Sequence, residues 1–544
     1  MTTICLFLLA LWSPPQHDAH ASAPEKPALL MTGLGRLHHR IATPSAEAQR
    51  FFDQGLTLVY GFNHEEAVRA FRRAAELDPA SPMPHWGIAL ALGPNINLDV
   101  DPAREQSAYD EARRALALAA PAPASERAYV GALIKRYSND VKADLKALAV
   151  QYADAMRDLT KQYPNDLDAA TLYAESLMDL HPWQLWSADG KPTEGTDEIV
   201  AALESVLRRD AMHIGANHYY IHAVEASRTP DRALASAKRL DTLVPAAGHL
   251  VHMPAHIYMR TGNYEGAVTS NAKAAEVDRA YIRARGADGV YPSMYYNHNL
   301  DFLASAAMMS GQFKEAKQAA DMVVANATPM IAQMPMLEPF GAKTLYVLLR
   351  FARWDDVMGL PQPDAAHALL TTLWHFGRGV AQAARGNAAE AEQERTAFTE
   401  ARKAIPPDSD WGYNKAKDML AVTDAVLDAW IARAKHDDAA SIDAWRVAVL
   451  REDMLNYDEP PDWFYPTRES LGAALFRAKQ FDRAEQVFRD DLTRNPNSGR
   501  SLFGLWQTVL TARKRSEKVA VAAVEKQFRN AWRHADVSLR LDDF

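Results

Sequence analysis

A spacing of small, aromatic and proline residues, present near both ends of the chain, constrains the fold most. Near the N-terminus, successive offsets of 12, 4, 3 and 5 residues separate Gly55, Ala67, Phe71, Ala74 and Pro79. Small residues at these points let two antiparallel helices approach closely, Phe71 fills the gap between them, and Pro79 ends the second helix. The chain is therefore predicted to consist of repeated helical hairpins. The same frame returns in Gly472, Ala484, Phe488 and Pro496.

These residues resemble tetratricopeptide (TPR) repeats, and the resemblance covers nearly the whole chain after its N-terminal segment. The resemblance implies an all-α fold, a superhelical solenoid of TPR-like antiparallel helical hairpins. At about 34–45 residues per unit, roughly a dozen hairpins are expected. The chain also resembles large exported bacterial TPR-repeat proteins with histidine-rich middle repeats, through its runs 217–222 and 248–256. Weaker copies of the frame contain Ala233, Ala237 and Pro245; Ala255, Tyr258, Ala267 and Ala274; Ala304, Ala316 and Ala320; and Gly379, Gly386 and Ala391.

The composition is that of an ordinary folded protein and not of a nucleic-acid binder. Of 544 residues, 48% are hydrophobic and 24% are charged, and the net charge is −9. A disordered chain would be less hydrophobic, and a nucleic-acid binder would carry a basic surface. The sequence contains no phosphate-binding Gly-Lys-Ser/Thr loop, no dinucleotide-binding glycine motif and no Gly-x-Ser-x-Gly nucleophile motif.

The N-terminus has the pattern of a secretory signal peptide. An apolar run, Ile4–Trp12, precedes small residues at Ala21 and Ala23, where cleavage is expected. No stretch is long and apolar enough for a membrane span, which needs about 20 residues. The protein is thus expected in the periplasm or outside the cell, and an unprocessed N-terminus is the alternative. The single cysteine, Cys5, lies inside the signal, so thiolate ligands and a cysteine nucleophile are excluded from the processed chain.

The chain divides into segments by its repeats. Longer aromatic loops are predicted at His181–Thr196 and Ala287–Tyr296, and they either fold onto the groove or cap a hairpin. The segment Tyr457–Glu469 forms either a packed loop between repeats or a binding surface. The expected segments are a signal peptide at 1–23, a flexible leader at 24–45, N-terminal TPR-like repeats at 46–165, His-rich central TPR-like repeats at 166–325 and C-terminal TPR-like repeats at 326–544.

Histidines in the central repeats fall where TPR proteins line their groove. The resemblance implies that the second, fifth, ninth and twelfth residues of a repeat face the concave side. With Ala255 as the eighth residue, one repeat places His249, His252 and His256 at three of these positions. Offsets of 3 and 7 residues also put these side chains within about 60° of arc on a helix. Pro254 lies within this segment and is expected near a helix start or at a kink.

Neighbouring repeats contribute further candidates to the same groove. The preceding repeat places His218, His222 and Glu225 at its fifth, ninth and twelfth positions. The repeat before that places Glu175 at the ninth position when Ala174 is taken as its small residue. The following repeat adds further groove residues. These are His298 and Asp301.

These positions favour a transition-metal site. Imidazoles from adjacent helices, which pack about 8–10 Å apart, can share an ion. Glu225 and Glu175 are candidate ligands or general bases, and the predicted ion is Zn, Cu, Fe, Mn or Ni. If the site is catalytic, metal-dependent hydrolysis and oxidation are both open, and the ligand in the groove is a small molecule or an extended peptide. The alternatives are a peptide- or protein-binding scaffold without metal and a metal storage or delivery protein.

Overall fold

The computed structural model describes residues 28–187, 190–287, 289–512 and 518–544, and it confirms an all-α solenoid of TPR-like helical hairpins. The expected signal peptide at 1–23 lies outside the described residues. The α-helices are α1 (Ala46–Val59), α2 (His64–Leu77), α3 (Met83–Leu92), α4 (Pro102–Leu118), α5 (Ala124–Leu133), α6 (Leu145–Gln162), α7 (Leu167–Met178), α8 (Thr196–Arg209), α9 (Ile214–Val224), α10 (Leu234–Leu243), α11 (Gly248–His252), α12 (Pro254–Thr261), α13 (Tyr264–Arg285), α14 (Asn297–Ser310), α15 (Phe313–Ala327), α16 (Lys343–Arg350), α17 (Trp354–Met358), α18 (Ala368–Ala384), α19 (Ala388–Ala401), α20 (Ala416–Ala434), α21 (Asp438–Glu452), α22 (Thr467–Arg477), α23 (Phe481–Arg494), α24 (Gly499–Ala512) and α25 (Lys518–Ala531).

Shorter elements join these helices. A π-helical turn, Tyr291–Tyr296, runs directly into α14. Within the described ranges, the strands are limited to a two-residue pair, β1 (Asp410–Trp411) and β2 (Asn414–Lys415), which forms a small hairpin. The 3-10 turns are Ile134–Arg136, Pro230–Ala233, Thr328–Met330, Pro335–Ala342, Arg402–Ala404 and Leu541–Asp543.

The helix packing follows the spacing in the sequence. A Cβ atom added to Gly55 in α1 would lie 2.6 Å from the ring of Phe71 in α2, and one added to Gly87 in α3 would lie 2.5 Å from the same ring. Phe71 therefore occupies the space that these glycines leave, and a larger residue at either position would push the helices apart. In the C-terminal copy, a Cβ on Gly472 would lie 2.6 Å from Phe488.

Local signals define many of the helix ends. The Ser45 side chain accepts a hydrogen bond from Ala48 N at the start of α1, and Asp166 caps α7 in the same way. At the end of α12, Gly262 adopts a left-handed conformation with φ of 75°. This conformation has little energetic cost for glycine because it has no side chain. These caps let short helices of the repeats begin and end at fixed points, so the facing side chains keep their register.

The core follows the two halves of the array. One cluster of buried hydrophobic side chains extends from Leu34 to Val347, and a second extends from Ala342 to Val524. The described part of the predicted leader packs on this first cluster, where Gly33 O accepts a hydrogen bond from Ala246 N. Among the described residues, no helix is both long and apolar enough to cross a bilayer.

Candidate metal centre

The six histidines predicted for the groove come together in the folded chain. His218 and His222 lie in α9, His249 and His252 in α11, His256 in α12, and His298 in α14. All are buried except His298, which is partly buried. Met253 separates α11 from α12, and Pro254 is the first residue of α12, where its missing N–H is tolerated.

The ligand nitrogens form two adjacent groups of three. We name His218, His222 and His249 the first triad, and His252, His256 and His298 the second triad. Within each triad the ligand atoms lie within 4.8 Å of one another. The Nε2 atoms of His218 and His249 are 3.1 Å apart. In the second triad, Nε2 of His252 lies 2.8 Å from that of His256 and 3.2 Å from that of His298.

These spacings are compatible with shared ions. Two nitrogens bound tetrahedrally to one zinc ion lie about 3.3 Å apart, given Zn–N distances near 2.0–2.1 Å. The triads also touch each other, since the rings of His222 and His256 have centroids 5.3 Å apart. The arrangement can therefore hold one or two ions with modest adjustment of side chains.

The tautomer of His218 is fixed by a backbone carbonyl. Its Nδ1 lies 2.7 Å from Tyr60 O, which can only accept, so Nδ1 carries the proton and Nε2 carries a lone pair. His252 is fixed in the same manner. Its Nδ1 donates to Asn271 Oδ1 at 2.6 Å, while Asn271 Nδ2 donates to Ala267 O and so sets the orientation of the amide. Both rings are therefore held as metal ligands are usually held.

Glu225 connects the two triads. Its Oε1 accepts from His222 Nδ1 at 2.7 Å, and its Oε2 accepts from His256 Nδ1 at 2.6 Å and from the Tyr457 hydroxyl at 3.1 Å. Burial alone would raise the pKa of Glu225, but His256 and His222 hold it well below its usual value. Glu225 thus stays ionised and orients one ring of each triad.

This arrangement creates an electrostatic conflict in the absence of an ion. His252 and His256 both donate through Nδ1, so two Nε2 lone pairs face each other at 2.8 Å when both rings are neutral. A proton on His252 Nε2 would relieve this contact, but burial and the neighbouring His256 lower the pKa of His252 well below its usual value. His222 Nε2 is buried and finds no hydrogen-bond partner among the described residues. A cation in this space satisfies all these lone pairs together.

Three further imidazoles are also disfavoured as cations. Burial, with smaller contributions from neighbouring histidines, lowers the pKa of His218 and of His249 well below the usual value. The same causes lower the pKa of His298 to about 3. Neutral imidazole is the form that binds metal, so these rings are prepared for it at neutral pH.

The structure does not bring Glu175 into this centre. Its carboxylate lies at the end of α7, beside Asp179 and Arg136, and burial followed by repulsion from Asp179 raises its pKa well above the usual value. Arg136 Nη2 donates to Asp179 Oδ2 at 2.5 Å. Asp301, by contrast, reaches the space next to the second triad, where its Oδ2 pairs with Lys343 Nζ at 2.8 Å.

A cavity of about 370 Å³ adjoins both triads. Both predicted loops contribute to it, because Trp183 packs 5.4 Å from His222 and Tyr295 packs 5.1 Å from His249. The segment Tyr457–Glu469 closes the opposite side together with the hairpin of β1 and β2. This enclosure turns part of an open groove into a pocket of the size that holds small molecules.

Sequence reasoning missed the partners of the histidines. Tyr60 contributes only its carbonyl, and Asn271 lies in α13, the second helix of its repeat. Phe62, whose ring centroid lies 4.6 Å from that of His218, sits in the turn between α1 and α2. Tyr457 is separated from Glu225 by 232 residues. Spacing within a repeat gives no signal for any of these contacts.

A further group of His39, Asp166 and Asp168 has ligand atoms as close together as those of the triads. Its members are already paired, because His39 Nδ1 donates to Asp168 Oδ2 at 2.8 Å and the Tyr60 hydroxyl donates to Asp168 Oδ1 at 2.7 Å. Asp166 accepts from the Tyr129 hydroxyl at 2.9 Å. These contacts attach the segment before α1 to α7, which is a structural role.

No family model and no curated protein matches the sequence. Among solved structures, the chain is similar to yeast Tom70, with 14% identity, coverage of 90% of this chain and 92% of that chain, and a TM-score of 0.28. It is similar to human IFIT1, solved as a dimer with PPP-AAAA, with 12% identity, coverage of 91% of this chain and 92% of that chain, and a TM-score of 0.33. It is also similar to the P58(IPK) TPR domain, with 11% identity, coverage of 86% of this chain and 100% of that chain, and a TM-score of 0.19. The fold described above rests on this chain's own helices and contacts.

Proposed function

We propose that this protein binds transition-metal ions in its two histidine triads and that these ions act on a small molecule held in the adjacent cavity. One observation carries the proposal. Four imidazoles, two from each triad, tie Nδ1–H to a fixed acceptor and present Nε2 to the same buried space. These are His218, His222, His252 and His256.

The ligand set supports catalysis more than a purely structural ion. Structural zinc sites are closed by four protein ligands, whereas catalytic sites use three and leave a position open. Each triad offers three imidazoles, a set that suits Zn, Cu, Fe or Ni. A bound ion would supply Lewis acidity or activate water or dioxygen. The triads border the cavity through His222, His249, His256 and His298, so the open positions would face a ligand there.

The proposal gives Glu225 a positioning role. Both of its oxygens accept hydrogen bonds from imidazole N–H groups, and these contacts with one ring of each triad favour a positioning role over general-base catalysis. Glu225 holds His222 and His256 in the rotamers that direct Nε2 inward, and its negative charge compensates the charge of the ions. Glu175 has no part in this proposal, since its carboxylate interacts with Asp179 and Arg136 instead.

Elemental analysis of the purified full chain tests the proposal. We expect about two equivalents of one transition metal per chain, and about one equivalent in either His222→Ala or His252→Ala, since each removes a ligand of one triad. His375→Ala is the control, because His375 is also a partly buried histidine but pairs with Glu394 far along the array. Metal content that is negligible, or equal in all three variants, would refute the proposal. Zinc would assign hydrolysis, and copper or iron would assign oxidation.

A second candidate is a peptide-binding scaffold. A groove of about 1340 Å³ adjoins the centre, and Arg228, Arg260 and Arg494 contribute to its lining. Cationic side chains of this kind suit acidic or C-terminal carboxylate groups of a peptide. A salt-sensitive peptide ligand together with a metal-free protein would support this function. Stoichiometric metal without turnover of any small molecule would instead support storage or delivery.

A further inference from the structure

The lining of the cavity is rich in acidic side chains. Five carboxylates line it, and Lys343 is the single lysine or arginine among the described lining residues. Lys343 Nζ is already paired with Asp301 Oδ2 at 2.8 Å. Asp410 pairs with Lys415, and the other carboxylates are Asp301, Asp458, Glu459 and Asp462, the last three from the segment that covers the centre.

Two of these carboxylates have an oxygen without a partner. Asp301 is 4% exposed and Glu459 is 5% exposed, and both line the cavity. Asp301 Oδ1 and Glu459 Oε2 make no hydrogen bond in the part of the chain that the structure describes. Buried carboxylate oxygens normally accept hydrogen bonds, and leaving them unpaired is costly. Both oxygens therefore require a donor that the cavity's occupant can provide.

Asp301 is paired with Lys343, whereas Asp458, Glu459 and Asp462 form no ion pair among the described residues. Asp462 accepts from Asn414 Nδ2 at 2.8 Å, which supplies a hydrogen bond but no positive charge. Burial raises the pKa of Glu459 to about 7 and that of Asp462 to about 6. A cation placed among these groups would favour their ionised forms, and an anion would meet repulsion.

Aromatic side chains form the remaining wall. The rings of Trp183 and Tyr413 lie 5.2 Å apart between centroids, and Tyr295 lies beside His249. Aromatic faces attract cations and also bury hydrocarbon. The cavity thus combines hydrogen-bond acceptors and negative charge at one side with apolar surface at the other.

We propose that the cavity binds a small organic amine, with its ammonium group donating to Glu459 and Asp301 and its hydrocarbon part against Trp183 and Tyr413. This inference deepens the proposed function and rests on it for the reaction, since the hydrocarbon part against Trp183 would lie beside His222 of the first triad. Binding itself depends only on the carboxylates and the aromatic wall.

Calorimetric titration with three probes of matched shape tests the inference. Benzylamine is cationic, benzyl alcohol is neutral and benzoate is anionic. We expect benzylamine to bind and benzoate not to bind. The affinity for benzyl alcohol is expected to be lower than that for benzylamine by at least about tenfold. The titrations are run on the zinc-loaded protein and on protein treated with a chelator, because an amine can also coordinate zinc directly.

Variants locate the binding group. Glu459→Gln and Asp301→Asn keep the size of the side chain but remove its charge, and each is expected to weaken benzylamine binding about tenfold or more. Asp408→Asn is the control, since Asp408 is an exposed carboxylate paired with Lys417 outside the cavity. If Glu459→Gln fails to fold, as judged by circular dichroism, Asp462→Asn replaces it with the same expected loss.

Several results would overturn the inference. These are benzoate binding as tightly as benzylamine, unchanged benzylamine binding in the cavity variants, and binding seen only with zinc. Metal content is measured separately on the same samples. Benzylamine binding that depends on Glu459, in a protein whose metal content before chelator treatment is negligible, would support this inference while refuting the metal proposal. Stoichiometric metal without benzylamine binding would support the metal proposal and refute this inference.

Discussion

Replacing Glu225 with glutamine should weaken metal binding in both triads, because this one carboxylate orients a ligand of each. In the wild-type chain it accepts from His222 Nδ1 at 2.7 Å and from His256 Nδ1 at 2.6 Å. A glutamine has one oxygen, so it can accept from one ring only, and its amide N–H groups would face the other ring's N–H. The second ring must then rotate or change tautomer, which removes its Nε2 from the ion.

The expected size of the effect follows from these two contacts. Loss of a hydrogen-bond partner behind a metal-bound histidine usually costs 10–100-fold in affinity, or about 1.4–2.7 kcal/mol per ion. The negative charge that compensates the ions is lost as well, so values near the upper end are expected in both triads. By contrast, Asn271→Leu should weaken the second triad alone, because Asn271 contacts His252 and no ring of the first triad.

Competition of cobalt(II) between the protein and a chelator of known affinity measures both dissociation constants. Glu175→Gln is the matched control, since Glu175 is a buried glutamate whose carboxylate lies beside Asp179 and Arg136 instead of the histidines. The reasoning fails if Glu225→Gln changes both constants by less than about twofold, or if Glu175→Gln weakens binding as much. It also fails if Asn271→Leu weakens both triads equally.

Two further predictions concern the fold. Gly55→Ala should lower the free energy of unfolding by about 1–3 kcal/mol, because the added Cβ would lie 2.6 Å from the Phe71 ring. Gly131→Ala is the control and should not destabilise the protein, because a Cβ there would meet nothing within 4 Å. Equal urea midpoints for the two variants would contradict this prediction. His39→Gln should lower Tm more at about pH 6 than at about pH 8.5. Burial acts to lower the pKa of His39, but the hydrogen bond to Asp168 acts against it and the pKa is raised in the folded protein. The stabilisation that protonated His39 provides is therefore complete below the pKa of the unfolded chain and is lost as the pH rises through the pKa of the folded protein. Equal losses at both pH values would refute that linkage.

The repeated hairpins could be predicted because their determinants are local. Gly55 and Phe71 are 16 residues apart in the sequence, and their contact depends only on two adjacent helices. The same locality explains why the histidines could be expected to lie together. His218 and His222 lie four residues apart on one helix, so their common face follows from the helical period, and stacking of repeats then brings them to His249.

The placement of Glu175 shows the limit of this reasoning. Framing a repeat on Ala174 assigns Glu175 to a groove position, but a one-residue shift of frame rotates a helix by about 100°. The buried ion pair of Arg136 and Asp179 lies at the end of α7, and Glu175 interacts with it. Arg136 comes from a 3-10 turn after α5, outside the repeat framed on Ala174, so the spacing within that repeat gave no sign of the contact.

Closure of the groove separates the candidate functions on physical grounds. A TPR groove that binds an extended peptide must be open along its length. Here Tyr457 hydrogen-bonds Glu225, and Trp411 and Glu459 line the cavity beside the triads, so segments from the C-terminal half cover the histidines. An extended peptide could reach the imidazoles only by displacing this cover and breaking the contact with Glu225. A small molecule needs only the cavity of about 370 Å³, and burial beside it lowers the pKa of His222, His249 and His298, which favours the neutral form that binds metal.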